Sequence, residues 1–125
     1  MIGYVTMGTN DLDRAAAYYD ALLGEMGAQR FLVEEGTFVS WVVEPGQPGV
    51  SVTRPFNGEP ATVGNGVMVA LMVDSKEKVD ALHAKALELG GTDEGAPGPR
   101  GEGFYAGYFR DLDGNKLNFF CTPGG

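Results

Sequence analysis

The chain repeats itself. Val5-Thr6-Met7-Gly8-Thr9-Asn10-Asp11 aligns with Val69-Ala70-Leu71-Met72-Val73-Asp74-Ser75, an offset of 64 residues from position 5 to position 69. Each segment reads as a short apolar strand running into a residue able to cap a helix. The same offset sets Ala15 over Val79, Leu23 over Leu87 and Gly27 over Gly91, so two helical turns and a terminating glycine coincide as well. Halves matched in this way build one supersecondary unit twice, a first module over about residues 1–60 and a second over about 64–125. At 125 residues the length suits a single domain, in which folding hides roughly two-thirds of the unfolded surface.

Each helix has its own support. Leu12, Ala15, Ala16, Tyr19, Leu22, Leu23 and Met26 recur at three- and four-residue steps, as do Val79, Leu82, Ala86 and Leu89. Asn10 or Asp11 can cap the first helix and Asp74 or Ser75 the second, while Gly27 and Gly90-Gly91 suit left-handed ends. Both helices are expected to run about sixteen residues. Short β-type runs follow at 37–43 and 50–53, then at 104–109 and 116–120, with a further strand near Arg30-Phe31-Leu32-Val33. Glu44-Pro45-Gly46-Gln47-Pro48-Gly49 and Asp111-Leu112-Asp113-Gly114-Asn115 read as hairpin turns. The second lacks the glycine and glutamate spacing of a calcium loop. Residues 95–103, Gly- and Pro-rich, read as a loop, either a lid or a passive connection. The fold class is α+β, strand then helix then strands in each half.

Composition removes several functions. Nine Lys plus Arg against seventeen Asp plus Glu give a net charge of −8, which repels polyphosphate and argues against nucleic acid as a partner. No apolar run approaches the ~20 residues of a membrane span, and the N-terminal segment has no signal-peptide pattern, so a cytoplasmic protein without a membrane partner is expected. One Cys and one His cannot assemble the usual zinc constellations within a chain. Cys121 reads as a packed residue and His83 as a surface one, with no orienting acid for a nucleophile and base pair.

Alternation along the strands separates the helix-packed faces from the open ones. Val69, Leu71, Val73, Val5, Met7, Leu117 and Phe119 belong to the helix side. The open side gathers Tyr4, Thr6, Met68, Ala70, Met72, Asn118 and Phe120, with Trp41 and Ser51 or Thr53 as additions. Aromatic and soft apolar groups with a few hydrogen-bonding ones suit a small-molecule pocket, a second core or a dimer face.

Gly3-Tyr4-Val5-Thr6-Met7-Gly8-Thr9-Asn10-Asp11-Leu12, then Tyr18-Tyr19-Asp20, then Asp111-Leu112-Asp113-Gly114-Asn115-Lys116-Leu117-Asn118 together resemble the glyoxalase, bleomycin-resistance and extradiol-dioxygenase superfamily, the vicinal oxygen chelate proteins. The resemblance covers the whole chain. It implies two βαβββ modules forming an eight-stranded curved mixed sheet, a cup with helices on its outer face. Catalytic members hold a divalent metal with His, His and Glu, and those positions match Tyr4, Met68 and Asn118 here. Phenol, thioether and amide are poor ligands for Zn²⁺, Mn²⁺ or Fe²⁺, so neither metal nor other cofactor is expected. The resemblance then implies a metal-free binder of a small, partly aromatic molecule. Tyr4, Trp41, Tyr105, Tyr108 and Phe120 would stack on such a ligand and Asn118 with Ser51 or Thr53 would orient it. The alternatives are a lyase or isomerase acting on a glutathione-conjugate-like substrate, with Arg54 or Arg100 gripping an anion and Tyr4 as the acid or base, and an assembly module. Family members commonly pair as homodimers, which is the expected state.

Overall fold

The computed structural model describes residues 1–123. Two compact units, Met1–Val63 and Gly64–Gly125, each contain one strand, one helix and three further strands. The first runs β1 (Tyr4–Gly8), α1 (Leu12–Gly24), β2 (Gln29–Glu34), β3 (Phe38–Val42) and β4 (Gly49–Thr53). The second runs β5 (Val69–Met72), α2 (Lys76–Glu88), β6 (Thr92–Pro99), β7 (Tyr105–Arg110) and β8 (Lys116–Cys121). The eight strands form two four-stranded sheets of equivalent order, β1-β4-β3-β2 and β5-β8-β7-β6. In each sheet the first strand pairs parallel with the last and the remaining pairs are antiparallel.

Local chemistry explains the helix boundaries. Asp11 accepts from the Arg14 amide at 3.1 Å and Ser75 from the Lys78 amide at 3.2 Å, so each helix begins on a side chain that satisfies an otherwise free N–H. Asn10 is used elsewhere, accepting from the Ala61 amide at 2.7 Å and donating to its carbonyl at 3.2 Å. Gly27 and Gly90 leave the helices at φ of 84° and 111°, a left-handed turn that a side chain would oppose. Each helix spans 13 residues, shorter than the periodicity suggested, because its last turn unwinds ahead of that glycine.

Apolar stripes dock each helix onto its own sheet. Leu12, Ala15, Ala16, Tyr19, Leu22 and Leu23 are buried on α1, with Met7, Val39, Trp41 and Val52 buried on the strands. In the second unit Val79, Leu82 and Ala86 of α2 are buried, as are Phe109, Leu117 and Phe119, whose two rings stack at 5.4 Å. Full burial of one such side chain is worth about 1.5–3 kcal/mol, so these stripes, more than helix propensity, hold the elements in place.

Two further expectations are corrected. Residues 95–99, expected within the loop 95–103, belong to strand β6 (Thr92–Pro99) despite two prolines and two glycines. They lie at a sheet edge, where proline removes no bond needed by a further strand, and the pairing with β7 shifts register at Asp93/Gly95 and Gly95/Gly98. His83 is not a surface residue. It is buried with α2 against the sheet, its Nε2 donating to the Tyr108 carbonyl at 3.0 Å and standing 3.2 Å from Asp93 Oδ1. A side chain at Gly107 would meet that ring at 3.1 Å, so the bare backbone there makes room for the imidazole.

Candidate functional site

Register brings three strands of the first sheet into one floor. Thr6 pairs with Ser51, which pairs with Ser40, and side chains at these positions project from the face opposite α1. Around this row lies a cavity of about 260 Å³ walled by Tyr4, Phe31, Leu32, Phe38 and Val42, with Gly49 and the Gly46-Gln47 turn at one end. No charged side chain lines it. Gly49 is required for the close passage of β3, since a Cβ there would come 2.8 Å from the Trp41 carbonyl oxygen.

The hydroxyls of the cavity divide into two kinds. Ser40 Oγ bridges the backbone of Leu32, accepting from its amide at 3.1 Å and donating to its carbonyl at 3.3 Å, which stabilises the register shift in β2. Thr53 Oγ1 turns to the Arg54 and Thr37 carbonyls at 2.9 and 3.3 Å. Among the described residues, Thr6 and Ser51 have no such partners, and they face each other across the β1/β4 pair. A pair of unengaged hydroxyls on an apolar, aromatic-walled floor offers donor and acceptor positions to a ligand and fixed charge to none.

Of the residues singled out in the sequence, Tyr4, Thr6, Ser51 and Thr53 line this cavity. Trp41 does not. It is buried on the helix side, its ring 5.7 Å from Tyr19 and its Nε1 donating to Asp20 Oδ1 at 2.9 Å. The same carboxylate takes Arg30 Nε at 3.0 Å, and chiefly that guanidinium holds Asp20 below its ordinary range, against the opposing effect of burial. Tyr105 likewise faces its helix, donating to Asp80 Oδ1 at 2.7 Å, a bond that pushes the phenol above its usual value. Alternation carries the reason: Trp41 shares parity with buried Val39, and Tyr105 with Phe109. The same rule would have found Phe38, Ser40 and Val42, which the sequence reading did not name.

In the second unit Ala70 pairs with Asn118 and Asn118 with Tyr108, so these three share the open face. Met72 and Met68 are exposed, while Phe120 stacks on Phe104 at 5.2 Å. Asn118 is 1% exposed. Its Oδ1 has no hydrogen-bond partner.

Tyr4, Met68 and Asn118 carry phenol, thioether and amide, and among the described residues no group of three His, Cys, Asp or Glu side chains gathers. None of these three side chains brings negative charge or an imidazole, and such groups do not fit a catalytic divalent cation.

The two βαβββ modules are those of the vicinal oxygen chelate fold, and the model of the Glyoxalase/Bleomycin resistance protein/Dioxygenase superfamily matches residues 1–119. The chain belongs to that superfamily. It is 37% identical to a glyoxalase/bleomycin resistance protein from Albidiferax ferrireducens T118, with a TM-score of 0.89 over 98% of this chain and 99% of that one. A hypothetical protein from S. aureus is 28% identical, with a TM-score of 0.72 over 97% and 96% of the two chains. Lactoylglutathione lyase from Agrobacterium tumefaciens, 24% identical with a TM-score of 0.71 over 97% and 92%, shares the fold. No curated protein matches the chain.

Proposed function

We propose that this protein binds a small, partly aromatic, uncharged molecule in the cavity of the first sheet, without a catalytic metal. The observation that carries the reading is the unengaged Thr6 and Ser51 pair on a floor walled by Tyr4, Phe31 and Phe38. Ring stacking against the walls supplies affinity and the two hydroxyls fix orientation. A cytoplasmic homodimer belongs to the same proposal. Support for pairing comes from the apolar edge of the first sheet, where Phe31, Leu32 and Val33 are each more than half exposed. Light scattering reads that state directly.

Thermal shift with neutral single-ring phenols and benzamides tests the binding. A ligand at a hundred times its Kd stabilises by about 2.7 kcal/mol, a shift of several degrees. The double variant Thr6→Val, Ser51→Ala is expected to keep its fold and lose that shift. Stabilisation that appears only with added Mn²⁺ and vanishes with chelator would overturn the metal-free reading, as would no response to any probe.

A further inference from the structure

The cavity of the first sheet has a polar end as well as a polar floor, and the backbone fixes the distance between them. Glu44-Pro45-Gly46-Gln47 forms a tight turn, the Gln47 amide donating to the Glu44 carbonyl at 3.2 Å with Gly46 at a φ of 90°. Proline second and a positive-φ glycine third are what a type II turn requires. Pro48 then restricts Gln47 to extended backbone. Gln47 is therefore held from both sides, and it lines the cavity together with Gly46 and Gly49. Like the Thr6 and Ser51 hydroxyls, its side-chain carboxamide has no hydrogen-bond partner among the described residues.

Between this end and the hydroxyl row the floor is bare. Gly49 pairs with Tyr4 on β1, and its amide donates to the Gly3 carbonyl at 3.1 Å. On the β3 side, a Cβ at Gly49 would stand 3.0 Å from Val42 Cγ1. Strands lie about 4.8 Å apart, so Tyr4 and Val42 flank a strip of backbone about 9.6 Å across, room for one flat ring. Ser51 follows Gln47 by four residues, at most about 13 Å along the chain. One six-membered ring with polar groups at opposite ends, and a hydrogen bond of about 2.9 Å at each, covers that length. An ion in this cavity would lose hydration with no opposite charge to meet it, because no lining side chain is charged. A primary carboxamide is neutral, and its coplanar N–H and carbonyl match the acceptor and donor of Gln47. We infer that the cavity selects aromatic carboxamides with a hydroxyl para to the amide, the phenol meeting Thr6 and Ser51 and the carboxamide pairing with Gln47. The inference rests on the small-molecule reading above and adds two functional groups, their spacing and the residue that recognises one of them.

Isothermal titration of the full chain with 4-hydroxybenzamide and its analogues tests it. 4-Methylphenol lacks the amide, and 4-hydroxyacetophenone keeps the carbonyl without the N–H. Each is expected to bind at least about tenfold more weakly, about 1.4 kcal/mol. 3-Hydroxybenzamide, with the two groups too close, and 4-hydroxybenzoate, of the same shape but charged, are expected to fall with them. Gln47→Met keeps the length of an exposed turn side chain and removes its amide, so the folded variant is expected to lose the preference for 4-hydroxybenzamide over 4-methylphenol. The Thr6→Val, Ser51→Ala variant is expected to lose the preference for 4-hydroxybenzamide over benzamide. Any of the four analogues binding wild type as tightly as 4-hydroxybenzamide, or either preference surviving in its variant, overturns the inference and leaves a less selective aromatic site standing. Failure of every ring to bind, the simple phenols included, sinks the reading of the cavity itself.

Discussion

The two modules repeat one backbone and diverge on the face turned away from the helix. Pairing aligns Thr6, Ser51 and Ser40 of the first sheet with Ala70, Asn118 and Tyr108 of the second. On the helix side the aligned positions stay apolar, with Trp41 opposite Phe109 in the alignment and Val52 opposite Phe119, all four buried. Helix-packed positions are constrained by the need to fill space at crystal-like density, and the open positions are free of that constraint. The first open face has become neutral and hydroxyl-floored, the second cationic, with Arg100 and Lys116 over the Tyr108 ring, and with a buried amide oxygen left unused. A duplicated fold of this kind preserves the core twice and varies the chemistry only where alternation points it outward.

The comparison breaks first at Trp41. If Trp41 and Phe109 hold the same core role, Trp41→Ala and Phe109→Ala should each cost about 3–5 kcal/mol in urea denaturation. Trp41→Phe should recover most of the loss and leave probe binding in the first cavity unchanged. A Trp41→Ala protein of normal stability and weakened binding would return this residue to the ligand site. Gly49 sharpens the contrast at smaller scale. An added Cβ would press on the backbone oxygen of Trp41, so Gly49→Ala is expected to cost about 1–3 kcal/mol. Lys116, at the aligned position of β8, should tolerate Ala within about 0.5 kcal/mol.

The repeat, both helices with their caps and glycine ends, and seven of the eight strands are legible in the sequence because period and turn chemistry are local signals. Strand β6 is not, since its edge position relieves it of the rules that exclude proline and glycine from strands. His83 was legible in principle: the offset of 64 places it over Tyr19, a member of the buried stripe of α1. Residue type obscured it, because imidazole is often exposed and its carbonyl partner on β7 belongs to tertiary structure. Within the site, Tyr4, Thr6, Ser51 and Thr53 followed from parity. Trp41 and Tyr105 were misplaced because aromatic type suggested stacking while their Asp20 and Asp80 partners lay on helices that only the folded chain brings near.

The smallest effect separates the modules electrostatically. Asp20 ties α1 to β2 and β3 through Arg30 and Trp41, and the offset places Ala84 at its position in α2. Its folded-state pKa is lowered from 3.8, first by the Arg30 hydrogen bond. A depressed carboxyl contributes stability that is fully present above the unfolded pKa and is lost as pH falls through the folded one. The Asp20 side chain is 43% exposed, so solvent screening limits the contribution to about 0.5–1 kcal/mol. Asp20→Asn keeps an acceptor for Trp41 and removes the charge. Its deficit in urea denaturation should therefore be present at neutral pH and shrink as the buffer is taken below about pH 4. Asp74 and Glu94 of the second module are also lowered, by Lys78 and Arg110. Both persist in wild type and variant, so their contribution cancels from the difference. A deficit constant across that range would mean that Asp20 acts only as a hydrogen-bond acceptor, and that the ion pair with Arg30 adds nothing to the first module which the second lacks.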